Sequence, residues 1–184
     1  INVIKLPSHP GIKTWWSKLW MFGEEFPLKG NVLFFDLDII IFNNIDALFT
    51  HNPGKFMIIR DFNRCRMGDS WQNSNSSTMR WQTGTMNFLW DEFHADPGRV
   101  TRRFPGDQDW ITSRAKNEIN HFPDDWIRSY KWEMIGFKDT KARRGPKWTF
   151  LKEPVVKKEN KVAVFHGEPK PFNCGDKWVE DNWK

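Results

Sequence analysis

Cysteine is scarce in this chain, with two in 184 residues, Cys65 and Cys174. Two widely spaced cysteines make neither a disulfide scaffold nor a zinc site of closely spaced ligands. Both read as free thiols of a reducing compartment, and the expected location is cytoplasmic. Long hydrophobic runs are missing as well. The most apolar stretch, Val32 to Phe42, is too short to cross a bilayer, so no transmembrane segment is expected, and no signal peptide is visible. Internal repeats and low-complexity segments are absent. Zinc-finger spacing, an RNA-recognition motif and a basic heptad region are absent too. The net charge of +5 and the pI of about 9.3 therefore suit an anionic ligand without naming a nucleic acid, and no nucleic-acid partner is expected. Tyrosine occurs once, against 12 Trp and 16 Phe. Such rings build cores, and they also form the walls of sugar and nucleobase sites.

What is present fits one α/β domain spanning residues 1–184, with a core of its own. The chain starts at Ile1 rather than Met, so it reads as the C-terminal portion of a longer chain. Ile1 to Ile12 reads as a short strand with a loop at Pro7, Pro10 and Gly11. Thr14 is expected to open a helix reaching about Phe26, with Trp15, Leu19 and Phe22 or Trp16, Trp20 and Gly23 on neighbouring faces. Asn44 can cap a helical turn over Ile45 to Phe49. Lys55 to Asp61 reads as a strand, Arg64 to Ser77 as a polar loop, and Thr78 to Trp81 as a short strand. Thr85 to His94 has helical spacing, Asp96 to Gly98 breaks it, and Gly106 opens another helix. His121 to Pro123 reads as a strand or turn. Lys138 to Lys161 is basic and aperiodic, hence a solvated loop. Val162 to Phe165 is a final buried strand.

The stretch Val-Leu-Phe-Phe-Asp-Leu-Asp-Ile-Ile-Ile-Phe, Val32 to Phe42, reads as a buried strand and its continuation. Asp36 and Asp38 lie in its middle. Two unpaired carboxylates in apolar surroundings are costly. On an extended chain a spacing of two turns both to one face. A hard divalent cation such as Mn2+ or Mg2+ would make that tolerable, while a turn cap plus an Arg or Lys pair is the plainer explanation. Two further pieces follow apolar segments: Gly106-Asp107-Gln108-Asp109-Trp110-Ile111 at a helix start, and His166-Gly167-Glu168-Pro169-Lys170-Pro171 after the last strand. Helix capping explains Asp107 and Asp109 equally well. Together the three pieces offer two carboxylates and an imidazole for one metal. They also offer a glycine and a lysine for phosphate.

In this order the pieces, with Trp15-Trp16-Ser17-Lys18-Leu19 ahead of them, resemble the GT-A glycosyltransferases of the glycogenin and bacterial galactosyltransferase type. The resemblance runs from about Lys13 to Pro171. It implies a GT-A-like, Rossmann-like mixed sheet flanked by helices, and a sugar moved from a nucleotide-diphosphate donor to a glycan or other hydroxyl acceptor. It implies that Asp36 and Asp38 hold Mn2+ or Mg2+ with His166 as third ligand, Asp36 also lying near the ribose. Gly167 and Lys170 would meet the diphosphate. Asn75, Ser76 and Ser77 would line the donor sugar, and Asp107 and Gln108 would stand beside the reacting carbon. It suggests retention of configuration. Because a base-binding strand and helix precede the metal motif in that family, the chain is expected to be N-terminally truncated.

Two other readings use the same residues. A haloacid-dehalogenase-like phosphatase also starts from an apolar strand and Asp-x-Asp, with Asp36 as nucleophile, Asp38 as acid/base and Asp124-Asp125 as a late acidic pair. That motif wants Thr or Val where Ile40 stands, and commonly Gly where Ile39 stands. A basic aromatic module for glycan or nucleic acid is the non-enzymatic alternative. Trp71, Trp81, Trp126 and Trp132 are candidates to stack on sugar and equally candidates for the core.

Overall fold

The structure is a computed structural model and describes residues 2–7, 12, 14–139, 141, 143 and 147–183. Ile1, Pro10, Gly11 and Arg144 lie outside the described residues. Val32–Phe42 is not one strand. Asn31–Phe35 forms β1 of one sheet, and Ile39–Ile41 forms β2 of another. Leu37 between them is 99% exposed. Two carboxylates inside a paired, buried strand would each lose their water. The chain instead leaves the first ladder at Asp36, whose N–H still reaches Ser77 O at 2.9 Å. It enters the second at Asp38, whose carbonyl accepts from Phe165 N at 2.9 Å.

The first sheet has the order β1, β4 (Ser74–Gln82), β3 (Phe56–Arg60), β5 (Ile119–His121). β4 runs antiparallel to both neighbours, and β5 is parallel to β3. The second sheet has the order β2, β9 (Val162–Val164), β6 (Ile127–Ser129), with β9 antiparallel to β2 and parallel to β6. The apolar strands are sandwiched, and alternation sends their residues to opposite sides. Val32, Phe34, Phe56 and Ile58 join one core with Trp16, Leu19 and Phe22. Leu33, Phe35, Met57 and Ile59 join a second with Phe62, Val162 and Val164. Ile40, Ala163 and Phe165 enter a third.

Thr14–Phe22 is helical as expected but wound as a 3-10 helix. Its three-residue repeat puts Trp16, Leu19 and Phe22 in one buried row and Trp15 and Lys18 in the next. α1 covers Asp46–Thr50, and Asn44 Oδ1 accepts from Asp46 N at 2.8 Å. Its last carbonyls need donors. Arg80, 1% exposed on β4, donates to Leu48 O and Phe49 O at 2.9 Å and to Asn52 O at 2.7 Å.

Several expectations change. Residues 2–7 and 12 form no strand. The expected loop Arg64 to Ser77 holds α2 (Arg64–Met67) and the start of β4. Arg64 is buried against Glu133 at 3.0 Å, an ion pair that a polarity pattern does not display. α3 is Asn87–Ala95. Asp96 does not merely break it: its side chain caps α4 (Pro97–Arg103) by accepting from Arg99 N. α5 is Asp107–Arg114, as Gly106 announced. The basic run Lys138 to Lys161 includes a hairpin of β7 (Gly136–Asp139) and β8 (Lys147–Phe150). Gly136 starts it because an added Cβ would stand 2.4 Å from Lys131 O. Trp148 stacks on Trp132, ring centres 6.0 Å apart, and anchors the hairpin. The chain closes with α6 (Lys177–Asn182). Cys65 and Cys174 are free, and burial beside Glu133 pushes the Cys65 thiol up to about 12. No helix among the described residues is long and apolar enough to cross a membrane.

Candidate active site

The two sheets meet where β1 gives way to β2, and a cleft of about 180 Å3 opens there. Five segments build it. The break between the strands supplies Asp36 and Asp38, and the 3-10 helix supplies Trp15 and Lys18. β4 supplies Asn75, Ser76 and Ser77, the start of α5 supplies Asp107 and Gln108, and the end of β9 leads to His166. A bulge explains the β4 contribution. Against β3 the register jumps from Ile58–Met79 to Ile59–Asn75, which leaves residues 76–78 unpaired on that side. Bulges re-aim side chains in this way, often beside active sites. The helix start explains Asp107: carboxylates are favoured there, and Ser76 Oγ donates to its Oδ2 at 2.6 Å.

Lys18 organises the charge. Its ammonium lies 2.8 Å from Asp36 and 3.5 Å from Asp107, and it donates to Ser76 Oγ at 3.2 Å. Burial raises the Asp36 carboxyl above its usual range, while Lys18 pulls the other way. Lys170 donates to Asp38 and to Phe165 O at 3.1 Å. Asn75 bridges the floor: Oδ1 accepts from Ser77 N at 3.0 Å, and Nδ2 donates to Gln108 Oε1 at 3.2 Å. His166 is held between rings, stacked on Phe62 at 5.0 Å and edge-on to Trp132 at 4.5 Å. Its Nε2 lies 2.6 Å from Ser129 Oγ, which also accepts from Trp132 N at 3.0 Å. Burial, with Lys131 nearby, pushes its pKa down to about 4, so the ring is neutral at pH 7.

Eight residues singled out from the sequence thus surround one cleft: Asp36, Asp38, Asn75, Ser76, Ser77, Asp107, Gln108 and His166. Lys170 reaches it through Asp38. Gly167 does not line it. It makes a left-handed turn at φ +68° that glycine accommodates, with Lys131 Nζ 4.0 Å from where a Cβ would stand. The two carboxylates are the donor type that suits Mn2+ or Mg2+, and the neutral imidazole is a softer third donor. As arranged, each carboxylate is neutralised by a lysine. Among the described residues no three His, Cys, Asp or Glu side chains are gathered closely enough to hold an ion.

Lys18, Trp15 and Ser129 do not stand out from the sequence as site residues. The one available signal was a lysine inside an aromatic helix, Trp15-Trp16-Ser17-Lys18-Leu19-Trp20. Of the other rings considered, Trp81 is core, Trp71 Nε1 donates to Asp61 Oδ1 at 3.1 Å, and Trp126 packs on His51. Trp15 is the tryptophan on the cleft, 49% exposed. The late acidic pair of a phosphatase is engaged elsewhere. Asp124 pairs with Arg60 and Arg64, and Asp125 with Arg128 and Lys157.

No protein-family model and no curated protein matches the chain. Among solved structures it is similar to the apo structure of WbbM, a bifunctional glycosyltransferase, with a TM-score of 0.56 and 13% identity. The match covers 94% of this chain and 38% of that one. Identity at this level speaks for the fold: a GT-A-like mixed sheet flanked by helices, as expected from the sequence. This chain spans 38% of the length of the glycosyltransferase it matches.

Proposed function

We propose that the protein transfers a sugar from a nucleotide-diphosphate donor to a hydroxyl acceptor, in the cleft between the two sheets. The observation that carries this reading is the convergence of Asp36, Asp38, Asn75, Ser77, Asp107, Gln108 and His166 on one cleft of a glycosyltransferase-like fold. In this reading Asp36, Asp38 and His166 would hold Mn2+ or Mg2+ once the carboxylates leave their lysines, and the ion would supply Lewis acidity toward the leaving diphosphate. Lys170 exchanges its bond to Asp38 for one to a donor phosphate, where its charge opposes the charge developing on the leaving group. Gly167 lets the backbone approach that phosphate. Lys18 pairs with Asp36 and Asp107 and holds both in position. Asn75 and Ser77 hydrogen-bond hydroxyls of the donor sugar. Asp107 and Gln108 flank the reacting carbon, whose bonding loosens through an oxocarbenium-like state as in glycoside chemistry generally. The acceptor is a glycan or another hydroxyl compound.

The test is nucleoside-diphosphate release from a panel of UDP-, GDP-, ADP- and dTDP-sugars in the presence of Mn2+. Release with one base, lowered about a hundredfold or more in Asp38→Ala, is the expected result. No release with any donor, or equal release from Asp38→Ala, overturns the proposal.

A further inference from the structure

A second pocket, of about 650 Å3, adjoins the cleft. Its walls combine Phe104, Pro105 and Ile119 with Asn73, Asp109 and His121. Its size is that of small-molecule sites, about 300–1,000 Å3. The adjacency follows from the chain itself. Gln108 lines the cleft and Asp109 lines the pocket, and consecutive Cα atoms are about 3.8 Å apart. β4 repeats the pattern. Asn73, just before it, lines the pocket, and Asn75 lines the cleft. Ser74 between them is fixed, its N–H donating to Thr112 Oγ1 at 3.2 Å and its Oγ lying 3.0 Å from His121 Nε2. The divider between the two spaces is therefore thin: the Asn75–Gln108 hydrogen bond and the Ser74–Thr112 contact.

Asp109 gives the pocket its chemistry. Among the described residues its carboxylate has no cationic partner, whereas Asp107 two residues earlier has Lys18. Burial raises the Asp109 carboxyl above its usual range. Burial likewise lowers His121, which favours a neutral ring. An acid engaged in no ion pair, a neutral imidazole, an amide and the Lys116 ammonium beside an aromatic wall suit a ligand with hydroxyls on its edge and C–H groups on its face. Among the described residues that line it Lys116 is the one permanent cation, short of the cluster of cations that a phosphate site gathers.

We infer that this pocket binds the saccharide that accepts the transferred sugar, with Asp109 accepting a hydrogen bond from one of its hydroxyls. The inference rests on the glycosyl-transfer reading and names the acceptor class for it. A saccharide here presents its near end to the divider, one residue from Gln108 and the reacting carbon.

The experiment is saturation-transfer NMR on metal-free protein with a panel of methyl hexopyranosides and methyl N-acetylhexosaminides. Uridine, adenosine and guanosine form a second arm. Wild type, Asp109→Asn and His121→Gln are compared, with folding checked by thermal melting. At least one glycoside is expected to bind without divalent ions, about tenfold more weakly in Asp109→Asn, which corresponds to about 1.4 kcal/mol. His121→Gln serves as the second variant if Asp109→Asn does not fold, with weaker binding expected. No signal from any glycoside, signals from nucleosides instead, or equal affinity in the folded variants overturns the inference. The donor assay fails or succeeds separately. Glycoside binding without donor turnover keeps the pocket and removes the transferase, and turnover without glycoside binding does the reverse.

Discussion

The side chain of Lys18 is 12% exposed, yet its ammonium serves two carboxylates, Asp36 at 2.8 Å and Asp107 at 3.5 Å. Removing it leaves both without their cation. Lys18→Met is expected to lower stability by about 2 kcal/mol, less than a fully buried pair would lose because Asp36 keeps some water. Thermal melting in chelating buffer measures this, and an unchanged midpoint contradicts the role. His166 has the opposite problem: its surroundings refuse a charge. Its ordinary value of 6.5 falls to about 4 in the folded protein. Between those values the unfolded chain binds a proton that the folded chain does not. The stabilising contribution is therefore complete above pH 6.5 and is lost as pH falls toward 4. It amounts to about 3 kcal/mol. Metal-free wild type should lose that much more stability across this window than His166→Gln in urea titrations. Parallel profiles would refute the assignment.

At the scale of elements, β4 connects core to cleft. Its N-terminal half bulges to present Asn75, Ser76 and Ser77, while Arg80 in the other half holds the carbonyls that end α1. Arg80→Met keeps the volume but leaves those carbonyls buried without donors, and should cost about 3 kcal/mol. Urea unfolding is the check, and a loss below about 1 kcal/mol would show that other groups satisfy them. These features also mark what the sequence could convey. The apolar strands, the helix start at Gly106 and the Asp-x-Asp pair inside Val32 to Phe42 announce themselves through composition and period. The split of that run into two sheets does not, because Ile39 to Ile41 is as strand-like as Val32 to Phe35. Arg64 and Arg80 look like solvent residues. Their burial depends on Glu133 and on the carbonyls of α1, partners distant in sequence. Asn75 and Ser77 read as part of a polar segment, but a bulge register is not written in local sequence. Lys18 reads as one residue of an aromatic helix, and its charge pairing depends on segments distant in sequence.

For the whole molecule, two sheets share a strand run that is interrupted by two acids, and the interruption is the floor of the cleft. Cores on both sides of the first sheet fix its strands, so Asp36 and Asp38 are presented from a rigid base while Lys170 approaches from the segment after β9. The cleft itself is small, about 180 Å3, and the adjoining pocket is larger. That division suits a site where the reacting end of a donor meets an acceptor. The proposed transfer requires that the cleft bind a nucleoside diphosphate together with a divalent ion. Thermal unfolding with Mn2+ and each of UDP, GDP, ADP and dTDP, for wild type and Asp38→Ala, tests it most directly. Ligand at a hundred times its dissociation constant adds about 2.7 kcal/mol, which for a chain of this size raises the midpoint by about 5 °C or more. That rise is expected for one base, only with the metal present, and not in Asp38→Ala. A midpoint unmoved by every nucleotide, or moved equally without Mn2+ or in the variant, would contradict it.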